Sequence, residues 1–216
     1  MEKAAGLKEV AYQVIRDRIV SCAMAPGSVI SESALARDLD TSRTPVREAL
    51  LRLQREGLVD IYPRKGTFVS PISIREIHDI AQLRLFIEPA AARTVCRTLS
   101  RDELSRYRGL FAESPGSDPE SFTEWFSADR AFHRWIVAAT GNRILCEIYD
   151  NVMDRSQRVR ILSGSIPHRV ERANREHLDL IDALDRCDED AVTRTMRAHI
   201  IASRDESLQL GRELSV

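Results

Sequence analysis

The sequence predicts a mainly α protein in two parts: a small N-terminal unit of three helices closed by a β-hairpin, and an all-α bundle of six helices. Three observations predict it. Apolar residues recur at helical spacing along nearly the whole chain, and strand-like runs are confined to residues 58–69. A short Ser-Pro-Ile-Ser linker over residues 70–73 separates two differently charged regions. Residues 1–70 carry 11 Lys and Arg against 9 Asp and Glu, whereas the rest of the chain has an acidic excess. The domains are therefore expected at 1–70 and 74–216, joined by 71–73.

Composition sets the outer limits. With 216 residues, 43% hydrophobic and 30% charged, the chain is an ordinary globule rather than a disordered or fibrous one. No apolar run approaches the ~18 residues of a membrane helix, and the N-terminus does not read as a signal peptide. The four cysteines, Cys22, Cys96, Cys146 and Cys187, are far apart and read as free core thiols of a reducing cytoplasm. The total charge of −1 looks unpromising for nucleic acid, but residues 41–67 hold 6 basic and 3 acidic side chains.

The elements follow in order. Val10, Val14, Ile15 and Ile19 share one face of a helix over 7–22, which stops at Ala25-Pro26-Gly27. Ser31 caps a short second helix carrying Leu35, Ala36 and Leu39, and Asp40-Thr41 turns the chain. Ser42-Arg43-Thr44-Pro45 opens the third helix, with Ser42 or Thr44 as its cap and Pro45 in the first turn, where a missing N–H does no harm. Val46, Ala49, Leu50 and Leu53 form its buried stripe and Gly57 ends it. Residues 58–62 and 66–69 read as strands joined by a turn at Pro63-Arg64-Lys65-Gly66. This is a winged helix-turn-helix. Arg43 and Arg47, four apart on the exposed face of the third helix, stand where a recognition helix meets base edges. Ser42 and Thr44 suit phosphate contacts, and Arg64 and Lys65 suit an adjacent groove or the backbone.

In the second part, Ile80, Leu83, Ile87, Ala91 and Val95 read as one helical stripe. Helices follow over 104–111, 122–139, 144–162, 170–184 and 191–208, with a loop over 114–119 and a stop at Ser163-Gly164. Asp129 and His133 lie one turn apart on one face. His177 and His199 are 22 apart about a midpoint at 188, inside the final turn, so in a helical hairpin they stand at one level. One Asp and three His suit a divalent transition metal, zinc first, with nickel or manganese as alternatives. A lone helical histidine is more often a hydrogen-bonded residue than a ligand, and spacing alone leaves both readings open. His78 and His168 read as surface residues, and Trp125 and Trp135 as packing.

Several of these pieces carry a family resemblance. Ser31-Glu32-x-x-Leu35-Ala36, Ser42-Arg43-Thr44-Pro45-Val46-Arg47-Glu48-Ala49-Leu50, Leu53-x-x-Glu56-Gly57-Leu58-Val59 and Arg64-Lys65-Gly66-Thr67-Phe68-Val69 resemble the GntR family of bacterial transcription regulators. The resemblance implies DNA contacts by Arg43, Thr44 and Arg47, with Gly66 close to the backbone. This chain has Ser33 where the family often carries arginine. Leu83-Arg84-x-x-Ile87-Glu88, Asp129-x-x-Phe132-His133, Gly141-Asn142-x-x-Leu145, Glu176-His177 and Met196-x-x-His199-Ile200 resemble the FCD domain of the FadR branch. That implies metal ligation by Asp129, His133, His177 and His199. It also implies a homodimer on operator DNA, a repressor by expectation, answering to a small organic acid. The free metal positions and Arg84 are expected to hold that acid, unless Arg84 merely pairs with Glu88. The alternative from another class is a metal-dependent enzyme using the same His/Asp site, against which no His-Glu-x-x-His and no nucleophile motif is present.

Overall fold

A computed structural model describes residues 2–113, 119–162 and 167–213. The described chain divides into two compact units, Met1–Ile72 and Ser73–Val216.

The first unit contains α1 (Glu2–Val20), β1 (Val29–Ile30), α2 (Glu32–Asp38), α3 (Arg43–Arg55), β2 (Val59–Tyr62) and β3 (Gly66–Val69). Its core is the stripe of α3, Val46, Ala49, Leu50 and Leu53, packed with Ile15 and Ile19 of α1 and Leu35 of α2. The turn between α2 and α3 is kept short by Asp40 in the left-handed region (φ 46°), which Asp tolerates better than most side chains. Ser42 holds the N-cap position of α3, and its hydroxyl makes no hydrogen bond to the helix's own amides. The helix ends in a Schellman motif: Leu58 N–H donates to the Leu53 carbonyl at 2.9 Å and Gly57 N–H to Gln54 at 3.0 Å. Gly57 takes φ 72° there, a conformation that costs other residues ~1 kcal/mol or more.

The wing is a three-stranded antiparallel sheet of order β1-β3-β2, not the two-stranded hairpin expected. β1 pairs Val29 with Phe68 and Ile30 with Thr67. Two residues are too short to show a period of two, so β1 leaves no trace in the sequence pattern.

Ser31 caps α2 as expected, its hydroxyl accepting from the Ala34 N–H at 3.2 Å. Ser31→Ala is expected to cost about 1 kcal/mol of stability, read as a lower urea midpoint with unchanged slope.

The second unit is all helical among its described residues: α4 (Ile74–Val95), α5 (Arg101–Ala112), α6 (Pro119–Ala138), α7 (Arg143–Leu162), α8 (Pro167–Arg186) and α9 (Glu189–Glu213). Several begin before the first residue of their apolar stripe, because the polar residues of the first turn belong to the helix too. Ser73 and Ser100 accept from the Glu76 and Glu103 amides. The main core joins Ala92 and Val95 of α4, Phe111 of α5, Phe132 and Ile136 of α6, and Leu180, Leu184, Met196 and Ile200 of the α8–α9 hairpin. The loop expected over 114–119 and the stop at Ser163-Gly164 lie outside the described residues, Pro119 apart. No described helix is long and apolar enough to cross a membrane.

Two expectations are corrected. Leu83 is not in the buried stripe of α4: it is 43% exposed, while Arg84 beside it is 3% exposed. An ion pair of Arg84 with Glu88 carries two charged residues into the interior at positions that hydrophobic pattern assigns elsewhere. Cys96 and Cys187 are not free thiols but form a disulfide, with Cα atoms 5.2 Å apart. The end of α4 packs beside the α8–α9 turn, where Arg93 also pairs with Glu189 at 3.0 Å, and a separation of 91 residues hides that neighbourhood in the sequence. Cys22 and Cys146 form no disulfide among the described residues and are half-buried rather than core.

Candidate nucleic-acid interface and metal centre

The first α3 turns present Ser42, Arg43, Thr44 and Arg47 to solvent, opposite the buried Val46, Ala49 and Leu50. Arg64, Lys65 and Gly66 are exposed at the wing tip. The tip turn closes through the Lys65 N–H on the Tyr62 carbonyl at 3.1 Å. Gly66 takes φ 121°, a conformation that strains any other residue there. Among the described residues, no side-chain ion pair engages Arg43, Arg47, Arg64 or Lys65, whereas Glu48 on the same helix is held by Lys8 at 3.1 Å. Four cations thus stand unpaired at the two places where a winged helix meets a duplex.

The second unit gathers Asp129 and His133 from α6, His177 from α8 and His199 from α9. All four are buried, and one ligand atom of each lies within 4.8 Å of the others. The i,i+4 spacing puts Asp129 Oδ1 3.9 Å from His133 Nε2. The helical hairpin brings the His177 and His199 rings level, with centroids 4.5 Å apart. His177 Nε2 lies 3.2 Å from Asp129 Oδ1 and 3.2 Å from His133 Nε2. Phe111 stacks on the His177 ring at 4.2 Å.

Further residues tune this cluster. Glu176 Oε2 accepts from His199 Nδ1 at 2.8 Å, which leaves the Nε2 lone pair free, and that buried Nε2 has no partner. Glu88 Oε2 lies 2.8 Å from His133 Nδ1, off the line of a good hydrogen bond. Glu88 is held in turn by the Arg84 Nε at 2.5 Å and the Tyr149 hydroxyl at 2.8 Å. Arg160 Nη1 donates to Asp129 Oδ2.

These surroundings set the charge states. Burial, helped by its histidine neighbours, pushes His199 well below its ordinary value, and burial pushes His177 down to about 4. Both rings are neutral at pH 7 with lone pairs to give. Burial alone would raise Asp129, but the Arg160 guanidinium and the histidines hold it well below the usual carboxylate range.

The donor set fits a metal ion. Three imidazoles and one carboxylate converge, and the buried His199 Nε2 is without a hydrogen-bond partner. The 3.2 Å separations match the ~3.3 Å ligand spacing around an ion with bonds of about 2.0–2.1 Å. A bound divalent ion would supply positive charge and open positions for an oxygen ligand.

A cavity of about 60 Å³ adjoins the cluster, reached by Asp129, His199 and Arg160. Trp125, Phe126, Val170 and Ala173 give it an apolar wall, and Arg172, Glu176 and Glu206 a charged one. The Trp125 indole N–H is fixed on Asn174 Oδ1 at 2.7 Å. Arg84 does not line this cavity: it is committed to Glu88 and borders a smaller one. Arg160, which does line it, carries no sequence signal, because an interior arginine breaks the apolar period of α7. His78 is exposed, as expected; the His168 side chain lies outside those described.

A winged helix with free cations, joined to a helical bundle around a buried His/Asp cluster, has the layout of a DNA-binding transcription regulator. The chain belongs to the GntR family of bacterial regulatory proteins, whose DNA-binding domain matches residues 7–69, and carries an FCD domain over residues 79–202. It is therefore a transcriptional regulator and not an enzyme. The HTH-type transcriptional repressor RspR of Escherichia coli (strain K12) is 29% identical over 94% of this chain and 90% of its own. The crystal structure of a GntR transcriptional regulator from Rhodococcus sp. RHA1 is 22% identical, with a TM-score of 0.81 over 95% of this chain and 98% of that one. The Zn2+-bound FCD domain of TM0439 is 20% identical, with a TM-score of 0.55, covering 65% of this chain and 96% of that domain.

Proposed function

We propose that this regulator is a cytoplasmic repressor whose hold on operator DNA answers to a small organic acid bound at a metal in the FCD domain. The observation that carries the reading is the convergence of Asp129, His133, His177 and His199 within 4.8 Å beside a cavity. Residues 1–70 read DNA and residues 74–216 sense, with 71–73 as the linker. The metal is zinc, with nickel or manganese as alternatives; the Zn2+-bound FCD domain of TM0439 supports zinc. An ion with one carboxylate and three neutral imidazoles stays positive, so its remaining positions favour an anionic oxygen. Arg160 borders the same cavity and offers the acid a second cation. Arg84 acts on the pocket from behind, through Glu88 and His133.

The regulator works as a two-fold homodimer, because one winged helix buries too little surface for a selective site. Ser42, Arg43, Thr44 and Arg47 enter a major groove of each half-site, while Arg64, Lys65 and Gly66 contact its flank. The acid changes DNA affinity only by binding two dimer arrangements unequally. Sequencing the genomic fragments retained by the purified protein tests this, with and without a panel of hydroxy, keto and dicarboxylic acids. Inverted repeats whose recovery falls with one acid are expected. Unaltered recovery with every acid, or an asymmetric footprint from a monomer in sedimentation, would sink the reading.

A further inference from the structure

Among the exposed residues of α3, Leu51 alone is apolar. It is 40% exposed and lies outside the core of its unit. At about 100° per residue it shares a strip with Thr44, two turns earlier, and points away from Val46, Ala49 and Leu50. Arg47 stands one turn before it and Arg55 one turn after. Both arginines are exposed, and no side-chain ion pair engages either among the described residues.

A single exposed leucine is ordinary on a protein surface, and its surroundings set this one apart. A second copy of the chain, or another protein, would cover Leu51 only by burying the guanidinium groups beside it. That costs free energy unless each receives a carboxylate. Glu48, the acidic residue on this face of α3, is already held by Lys8 at 3.1 Å. A duplex meets no such conflict. It offers phosphates and base edges to the cations and, in the major groove, the C5 methyl of thymine to an apolar side chain. Leu51 stands ~6 Å further along the helix axis than Arg47, about two base-pair steps of the duplex. The other bases present polar groups there, which a leucine would strip of water without replacing the hydrogen bond.

We propose that Leu51 is a specificity-determining residue, which reads a thymine through its methyl group within about two base pairs of the base that Arg47 reads. The proposal rests on the entry of α3 into the major groove. It adds to the arginine contacts a base pair selected by apolar contact and by the exclusion of polar edges.

The test uses the full-length protein and the operator duplexes recovered by sequencing retained fragments. Each thymine of one half-site is replaced in turn by uracil, which lacks only the methyl group. Fluorescence anisotropy at constant salt is expected to find one thymine whose replacement weakens wild-type binding about fourfold, as burial of one methyl-sized group is worth. Leu51→Ala should bind the thymine duplex more weakly by a similar factor and no longer distinguish it from the uracil duplex. Leu51 is exposed, so this variant should melt as the wild type does. Arg47→Ala on the same duplexes separates failure here from failure of the docking. If Arg47→Ala loses affinity but no uracil weakens the wild type, Leu51 reads no methyl group and the proposal falls alone. It falls alone too if Leu51→Ala keeps the wild-type response to uracil, which would assign Leu51 to a contact between protein chains. Wild-type affinity in both Arg47→Ala and Leu51→Ala would overturn the docking and the proposal together.

Discussion

His177→Ala is expected to abolish metal binding and to lower the melting temperature more than any other single change at the site. Its Nε2 faces both Asp129 and His133 at 3.2 Å, so removing it opens the middle of the donor set. A ligand held only by the folded state stabilises it by RT ln(1 + [L]/Kd), about 4 kcal/mol at a thousandfold excess over Kd. Loss of the ring stacked on Phe111 adds a packing cost that metal-free protein suffers equally. A chelator separates the two contributions. It should lower the melting temperature of the wild type and leave that of the variant unchanged. Metal analysis should find about one ion per wild-type chain and none in His177→Ala, while His78→Ala, at an exposed position, keeps its ion. Metal retained in the double variant His177→Ala/His199→Ala would falsify the assignment.

The second large effect is expected at α3. Arg47→Ala should weaken specific operator binding by about 1–3 kcal/mol, roughly 5- to 150-fold, as loss of a bidentate base contact does. Arg43→Ala should act similarly at a neighbouring base. Both side chains are exposed and unpaired in the described structure, so folding stability should change by no more than about 0.5 kcal/mol. The loss would therefore be one of recognition. Lys65→Ala at the wing should behave differently, weakening all sequences alike and lowering the slope of log K against log salt by about one unit. Fluorescence anisotropy over a salt series, with operator and scrambled duplexes, measures all three. Wild-type affinity in both arginine variants would mean that α3 does not enter the groove.

What could be read without coordinates was what repeats locally. Val46, Ala49, Leu50 and Leu53 announce α3 and its buried face, and Gly57 announces its end, because helical periodicity and capping need only neighbours along the chain. Asp129 and His133 could be placed on one face, and His177 and His199 at one level, for the same reason. The sequence left open whether the two pairs meet, since that depends on how α6 packs on the α8–α9 hairpin, and spacing within helices does not fix packing between them.

The same limit explains what was missed or misplaced. β1 exists only because β3 lies beside it. Cys96 and Cys187 pair because the end of α4 meets the α8–α9 turn. Arg84 turns inward and Leu83 outward because Glu88 and Tyr149 make a buried partner set that hydrophobicity does not encode. Arg160 stands against Asp129 only once α7 is packed on α6. By itself, then, the sequence determined the helices, the wing and the residue types able to bind DNA and metal, because these follow from local pattern and side-chain chemistry. Tertiary structure alone decided which charges are buried together, because a charge can be buried only where distant parts of the chain bring it a partner.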